Sequence, residues 1–325
     1  MKLIQRMALG AALSTLALVA QAIELPGSVV NTEWLAKNRA QVQVVEVRSD
    51  VASFKREADV QTVKKTGKKI VLEVGGHMAD SRLIDMKTMR TDRKVGDLTV
   101  RYMLPERADF ERTIQAAGID AGKPIVFVPV GQAIEDIDDA LRVYWQFKMY
   151  GDNNVAVLDG GMAAWLLEGR EASVAAVPAK QGSWKAGKEQ VQYLAESIDV
   201  AVASQRNEQI IDARSAGHFY GLSKRDYVYS YGHVAGAKLM SPDVFARNVQ
   251  GVAYFHSAKT YASLLNAIGF DTNKPTITYC NSGHLAAGPW FVLSEIVGNK
   301  QTRLYDGSMH QWTLEKRPTV SVALN

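Results

Sequence analysis

Short β-branched runs alternate with helically spaced apolar positions through both halves of the chain. In the second half, residues 209–212 and 275–279 read as strands, whereas residues 258–268 and 286–297 space their apolar side chains as helices do. Such alternation predicts an α/β fold in which a mainly parallel sheet carries helices on both faces. The stretch SVAAVPAKQGSWKAGKE, residues 173–189, is small and polar with no period and reads as a linker. Two units follow from it, residues 23–172 and 190–325.

The two units repeat each other. GIDAGKPIVFVP (118–129) aligns with GFDTNKPTITYC (269–280), VAVLDGGMAAW (155–165) with TRLYDGSMHQW (302–312), and VVEVRS (44–49) with IIDARS (210–215). GGHMADS (75–81) pairs more faintly with YGHVAGA (231–237). The order is the same in both halves, as a duplication requires, and the unequal spacings place insertions in surface connections.

Residues 1–22 are a different kind of segment. Lys2 and Arg6 precede an apolar run from Met7 to Val19, and Ala20-Gln21-Ala22 is a small-x-small cleavage site, the pattern of a cleaved signal peptide. The run is shorter than the roughly 20 residues a membrane span needs, and no later stretch is apolar enough to cross a bilayer. The expected location is periplasmic, with no membrane association after cleavage. Composition is that of a globular protein, 47% hydrophobic and 22% charged. The formal charge of +4 loses the two leader cations, which leaves too weak and scattered a surplus to argue for nucleic acid. Lys64, Lys65, Lys68 and Lys69 read as a solvated loop.

Against that background the chain keeps one cysteine, Cys280, in TITYCNSGHLAAGPWFVLSE (276–295). An exported lone thiol has no partner in its own chain; it is either buried and inert or reactive. Its surroundings favour the second reading. In an open α/β sheet, ligands sit beyond the carboxyl ends of strands, where loops enter helices. There the chain turns through Asn281-Ser282-Gly283, and glycine permits a turn closed to other residues. Successive N–H groups then form an anion-binding nest, so the thiol is expected to ionise more readily than a free one.

These residues resemble the tandem-domain rhodaneses, the thiosulfate and 3-mercaptopyruvate sulfurtransferases. Cys280 to Leu285 resembles the active-site loop, Tyr231 to Ala237 the GH-x-PGA segment, and Tyr305 to Ser308 with Trp312 the C-terminal signature. Asp212-Ala213-Arg214 resembles the early strand, and Asp159 to Met162 with Trp165 repeats the pattern in the first half. The resemblance implies two rhodanese-like domains and a cofactor-free, metal-free sulfurtransferase. Cys280 would take a sulfane sulfur from a small sulfur-containing anion, hold it as a persulfide within Asn281, Ser282, Gly283, His284 and Leu285, and pass it to a thiol or cyanide. It further implies that Arg214 faces the substrate, although an ion pair with Asp212 fits the same residues. His284 would donate to the outgoing or incoming group, or else stand as an exposed loop histidine. His233 and Asp306 would be structural, and Lys224 and Arg225 would lie on an exposed loop or border the pocket mouth.

Three departures qualify the resemblance. Leu285 replaces a basic or hydroxyl residue, so the loop lacks a strong cation. Pro289 lies where the helix should continue, which predicts that the regular helix starts late, near Gly288. In the first half the position of Cys280 holds Pro129, which has neither nucleophile nor N–H, and Glu135 and Asp136 add negative charge. That half should be structural, with residues 85–104 as a candidate wall of the cleft. A phosphatase would need an arginine where Ala286 stands, and an arsenate reductase a second cysteine. The remaining rival is a non-enzymatic sulfur carrier or sensor that holds a persulfide for a partner protein.

Overall fold

The computed structural model describes residues 23–322; the expected signal peptide lies outside them. Two five-stranded parallel sheets form the framework. In spatial order the first contains Val29–Val30, Val155–Leu158, Ile125–Val128, Gln43–Arg48 and Arg82–Asp85. The second contains Leu194–Ala195, Thr302–Tyr305, Thr276–Tyr279, Gln209–Asp212 and Lys238–Leu239. The central strands are buried throughout, because helices cover both faces of each sheet. The fold is therefore α/β with two rhodanese-like sheets. No helix among the described residues is long and apolar enough to cross a membrane.

The repetition extends to single side chains. Arg48 pairs with Glu46 and donates to the Gly76 carbonyl, and Arg214 pairs with Asp212 and donates to the Gly232 carbonyl. His77 stacks on Phe54 with ring centroids 4.0 Å apart, and His233 on Phe219 at 3.8 Å.

Each half also extends an antiparallel hairpin onto the other. The hairpin Thr91–Val95/Leu98–Met103 leads into Leu104, whose N–H donates to Asp306 Oδ2 at 2.7 Å. The hairpin Ala246–Val249/Val252–Phe255 ends where the Phe255 N–H donates to Asp159 Oδ1 at 2.8 Å. Asp159 and Asp306 are equivalent in the repeat, so the exchange is reciprocal. One apolar core runs through the seam, where Tyr144 of the helix Ile134–Met149 meets Phe291 edge-on at 4.9 Å.

The stretch 173–189 forms no helix and no multi-residue strand, yet it is not slack. Trp184 is buried against Phe110 and Phe147 and donates to Asp152 at 2.8 Å. Pro289 is tolerated because the helix begins at Ala287, placing the ring in the first turn, where its missing N–H would have had no intrahelical partner. From Val292 to Val297 the helix widens to π geometry, which the apolar spacing does not announce, and Gly298 closes it at φ 97°.

Candidate active site

Cys280 directly follows the central strand Thr276–Tyr279, at its carboxyl end, and is 1% exposed. The following loop is hooked from beneath by Ser308. The Ser308 hydroxyl accepts from the Cys280 N–H at 3.0 Å and the Gly283 N–H at 2.9 Å, and donates to the Tyr305 carbonyl. The N–H groups of Met309 and His310, opening the helix Ser308–Leu314, donate to the carbonyls of Cys280 and Asn281. With two loop N–H groups thus engaged, those of Asn281, Ser282, His284, Leu285 and Ala286 make no hydrogen bond to the described residues. They form the concave donor set expected for holding a sulfur anion.

Gly283 adopts φ +73°, and an added Cβ would lie 2.5 Å from the Asp306 carbonyl oxygen and 2.6 Å from its Oδ1. Conformation and space therefore both demand glycine here. Ser308, at φ +49°, is one of few non-glycine residues in the left-handed region, a conformation its three hydroxyl hydrogen bonds help hold.

The first half contributes the other wall. Arg142, fully buried, donates to the Gly283 carbonyl at 3.0 Å and places Nη2 2.6 Å from Asp306 Oδ1. Asp306 is thus more than a corner residue, because it joins Arg142 and Leu104 of the first half to the loop of the second. His284 Nε2 lies 2.8 Å from Asp139 Oδ1, while Asp139 Oδ2 accepts from Ser49 at 2.6 Å. Burial lowers the His284 pKa, against the pull of the Asp139 carboxylate, so the ring is neutral at physiological pH. The exposed-loop alternative for His284 is corrected: the ring is mostly buried at the seam. Asp138, one residue before, is 1% exposed and neither carboxylate oxygen has a hydrogen-bond partner. Burial, with Asp139 and Glu135 nearby, pushes its pKa well above the usual carboxylate range.

Arg214 is anchored rather than free. Nε and Nη2 both engage Asp212, at 2.9 and 2.6 Å, and Nη2 also reaches the Gly232 carbonyl at 2.8 Å. Burial disfavours its charge, but the Asp212 carboxylate outweighs this and holds the pKa above its ordinary value. The matching Arg48–Glu46 pair, in a half with no cysteine, identifies the pairing as part of the scaffold. Leu285 turns into the apolar core, which explains why this position holds no cation. Ser282 contacts the Tyr227 hydroxyl, and Asn281 Nδ2 lies 3.4 Å from His218 Nδ1. His233 is structural in form, with Nδ1 at 2.8 Å from the Phe219 carbonyl. Lys224 lies over the Tyr231 ring and Arg225 is exposed.

The first-half counterpart of the loop is closed. After Pro129, the Asp136 carboxylate folds back to accept from the N–H groups of Gln132 and Ala133. The Ala133 N–H, whose counterpart at His284 stays open, is here taken by a side chain of the following helix.

Sequence reasoning missed Arg142, Asp139, Ser308 and Tyr227 as parts of this site. Arg142 and Asp139 lie in a helix whose acidic start and apolar body look like an ordinary surface helix, and their inward direction is set by the other half. Only Ser308 left a signal, as a neighbour of Asp306 within a repeated fragment.

Comparison with known proteins bears on the family and the fold. The family model described as Rhodanese-like domain matches residues 183–315. A relative from Saccharopolyspora erythraea, named "Putative thiosulfate sulfurtransferase", is 29% identical over 245 residues, 74% of this chain and 81% of its own. A protein of the same name from Mycolicibacterium smegmatis is 34% identical over 180 residues, 54% of this chain and 62% of its own. Sulfur carrier protein TtuD of Thermus thermophilus is 25% identical over 306 residues, 88% of this chain and 94% of its own. Among solved structures, SseA from Escherichia coli, described among the 3-mercaptopyruvate sulfotransferases, superposes with a TM-score of 0.68 at 22% identity, covering 87% of this chain and 98% of that one. Residues 183–315 thus match the rhodanese-like domain, and the chain as a whole shares the two-domain fold of SseA.

Proposed function

We propose that the chain is a sulfurtransferase that carries sulfur on Cys280. The single observation behind this reading is the thiol at a strand's carboxyl end, followed by a loop five of whose N–H groups make no hydrogen bond to the described residues. The Cys280 thiolate attacks the sulfane sulfur of thiosulfate or the thiol sulfur of 3-mercaptopyruvate. The S–S or C–S bond to the donor breaks, and sulfite or pyruvate leaves. For 3-mercaptopyruvate the thiol proton passes to the departing carbon. The loop N–H groups hold the persulfide anion until a thiol or cyanide removes its outer sulfur, a two-step covalent route. The neutral, seam-bound His284 orients the loop through Asp139 in this scheme. Arg214, the residue that the resemblance sets facing the substrate, stays tied to Asp212 and Gly232 through Nε and Nη2 in this scheme.

Intact mass is the test. After incubation with either donor the protein should gain one sulfur atom and lose it on addition of cyanide or a thiol, and Cys280→Ser should gain none. A wild-type protein that gains no sulfur from either donor would refute the assignment.

The name of the Thermus relative supports a second reading, a non-enzymatic sulfur carrier or sensor. A persulfide that forms but does not turn over with small acceptors would favour it. The leader supports a periplasmic setting, checked by amino-terminal sequencing of protein from the periplasmic fraction; an intact Met1 would count against export.

A further inference from the structure

The loop after Cys280 lacks a cation of its own, yet both donors named above end in an oxyanion. The first half supplies a candidate. Arg90 opens the segment entering the hairpin Thr91–Val95/Leu98–Met103, and among the described residues it makes no ion pair. Its Nε is buried and has no hydrogen-bond partner. The guanidinium carbon lies 5.2 Å from the centroid of the Tyr102 ring, and Tyr102 meets Tyr227 at 5.2 Å, which in turn contacts Ser282 of the loop. Tyr102 sits at φ +64°, a conformation uncommon for a residue with a bulky side chain. This wall is therefore held in place against a local preference. The contacts from Arg90 through Tyr102 and Tyr227 to Ser282 lead to the cysteine loop, and the charges of Arg142, Cys280, Asp139 and Tyr227 all act on Arg90. Asp139 makes no ion pair with it; the two carboxylate oxygens lie on Ser49 and His284.

We propose that Arg90, brought across the seam by the first half, binds the oxyanion of the sulfur donor at Cys280. The proposal rests on the sulfurtransferase reading and names the residue that selects its substrate class. A guanidinium with no partner at Nε matches a sulfonate-like or carboxylate end, and its charge persists at every working pH. Partial burial lowers the stability of that charge, which an incoming anion restores. In the transfer itself the thiolate forms a bond to the sulfane sulfur, the departing fragment takes the electron pair, and Arg90 stays on that fragment. Sulfite and pyruvate share the oxyanion; which donor serves is read by running both.

The experiment compares wild type with Arg90→Ala, Arg90→Gln and Arg90→Lys. The rate of sulfur gain at low donor concentration is followed by intact mass, alongside alkylation of Cys280 by uncharged iodoacetamide. The expected result is a fall of about tenfold to a hundredfold for Ala and Gln with the donor that serves, and a smaller fall for Lys. Alkylation should fall by much less than sulfur gain, because losing a nearby cation trims the thiolate fraction while an uncharged reagent has no oxyanion to be held. Arg90→Gln keeps an unbranched polar side chain at this position and so tests the charge even if the alanine variant folds poorly. Wild-type rates of sulfur gain in Ala and Gln would overturn the proposal. So would a parallel fall in alkylation, which would place Arg90 on the thiolate instead of the donor. A wild-type protein that gains no sulfur from either anion would overturn the sulfurtransferase reading, and this proposal with it.

Discussion

At the scale of single residues, the site depends on two positions where side-chain chemistry and backbone geometry leave little choice. Gly283 combines a positive φ with contacts that would put a Cβ inside the Asp306 backbone. Gly283→Val should therefore abolish sulfur uptake while leaving the Cys280 side chain in place, as intact mass after donor treatment would show. Retained uptake would mean that the turn is not required. Asp138 is the opposite case, a carboxyl group whose burial brings no partner. Its raised pKa means that the folded state holds a proton which the unfolded chain releases near its ordinary value of about 3.9. Stability is thus lost as pH rises from that value through the folded one. Asp138→Asn should leave the melting temperature unchanged at pH 3 and raise stability by on the order of 1 kcal/mol or more at pH 8. A gain of equal size at both pH values would show that packing, not ionisation, is responsible.

Between residues and domains stands the element, here a loop held by the helix behind it. Ser308 accepts from two N–H groups of the cysteine loop and so decides which of the loop's donors stay open. Ser308→Ala leaves both N–H groups without that acceptor in a dry site, a loss of about 1–3 kcal/mol for each group left unsatisfied. Sulfur-transfer rate should fall by more than the change in stability accounts for, since the loop loses its fixed curvature. Kinetics and denaturation on the same variant separate the two effects; equal losses would make Ser308 a purely structural residue. In the counterpart loop Asp136 does what Ser308 does for Gly283 and also takes the Ala133 N–H, whose counterpart at His284 stays open.

At the scale of the whole molecule, the two halves are fastened through the site. Arg142 and Asp306 form a buried pair across the seam, and Arg142 also holds the Gly283 carbonyl. Removing one member of such a pair strands the other charge, so Arg142→Ala should cost about 3–5 kcal/mol in chemical denaturation. Arg142→Met combined with Asp306→Asn should recover part of that stability but not activity, because the Gly283 carbonyl and the Leu104 N–H lose their partners. Full recovery of both would show that the pair fastens the halves without shaping the loop. The first half, though it cannot carry sulfur itself, is thus a working part of the second half's site.

Much of this was legible in the chain. The alternation of strand and helix periods, the duplicated fragments, the unpaired Cys280 and the glycine turn after it depend on local propensity and spacing, and these survive in one dimension. Gln209–Asp212 and Thr276–Tyr279 are strands because their residue types suit a sheet buried on both faces. The π geometry after Val292 was not legible, nor were the partners of Arg142, His284 and Arg90. Each is set by which side chain from the other half arrives within a few ångströms. Asp139 is 145 residues from His284, and Arg142 lies 141 residues before Gly283, distances over which sequence pattern carries no register. Composition could supply a lone thiol and a turn to hold its sulfur; only packing two similar domains face to face could decide which charges surround it.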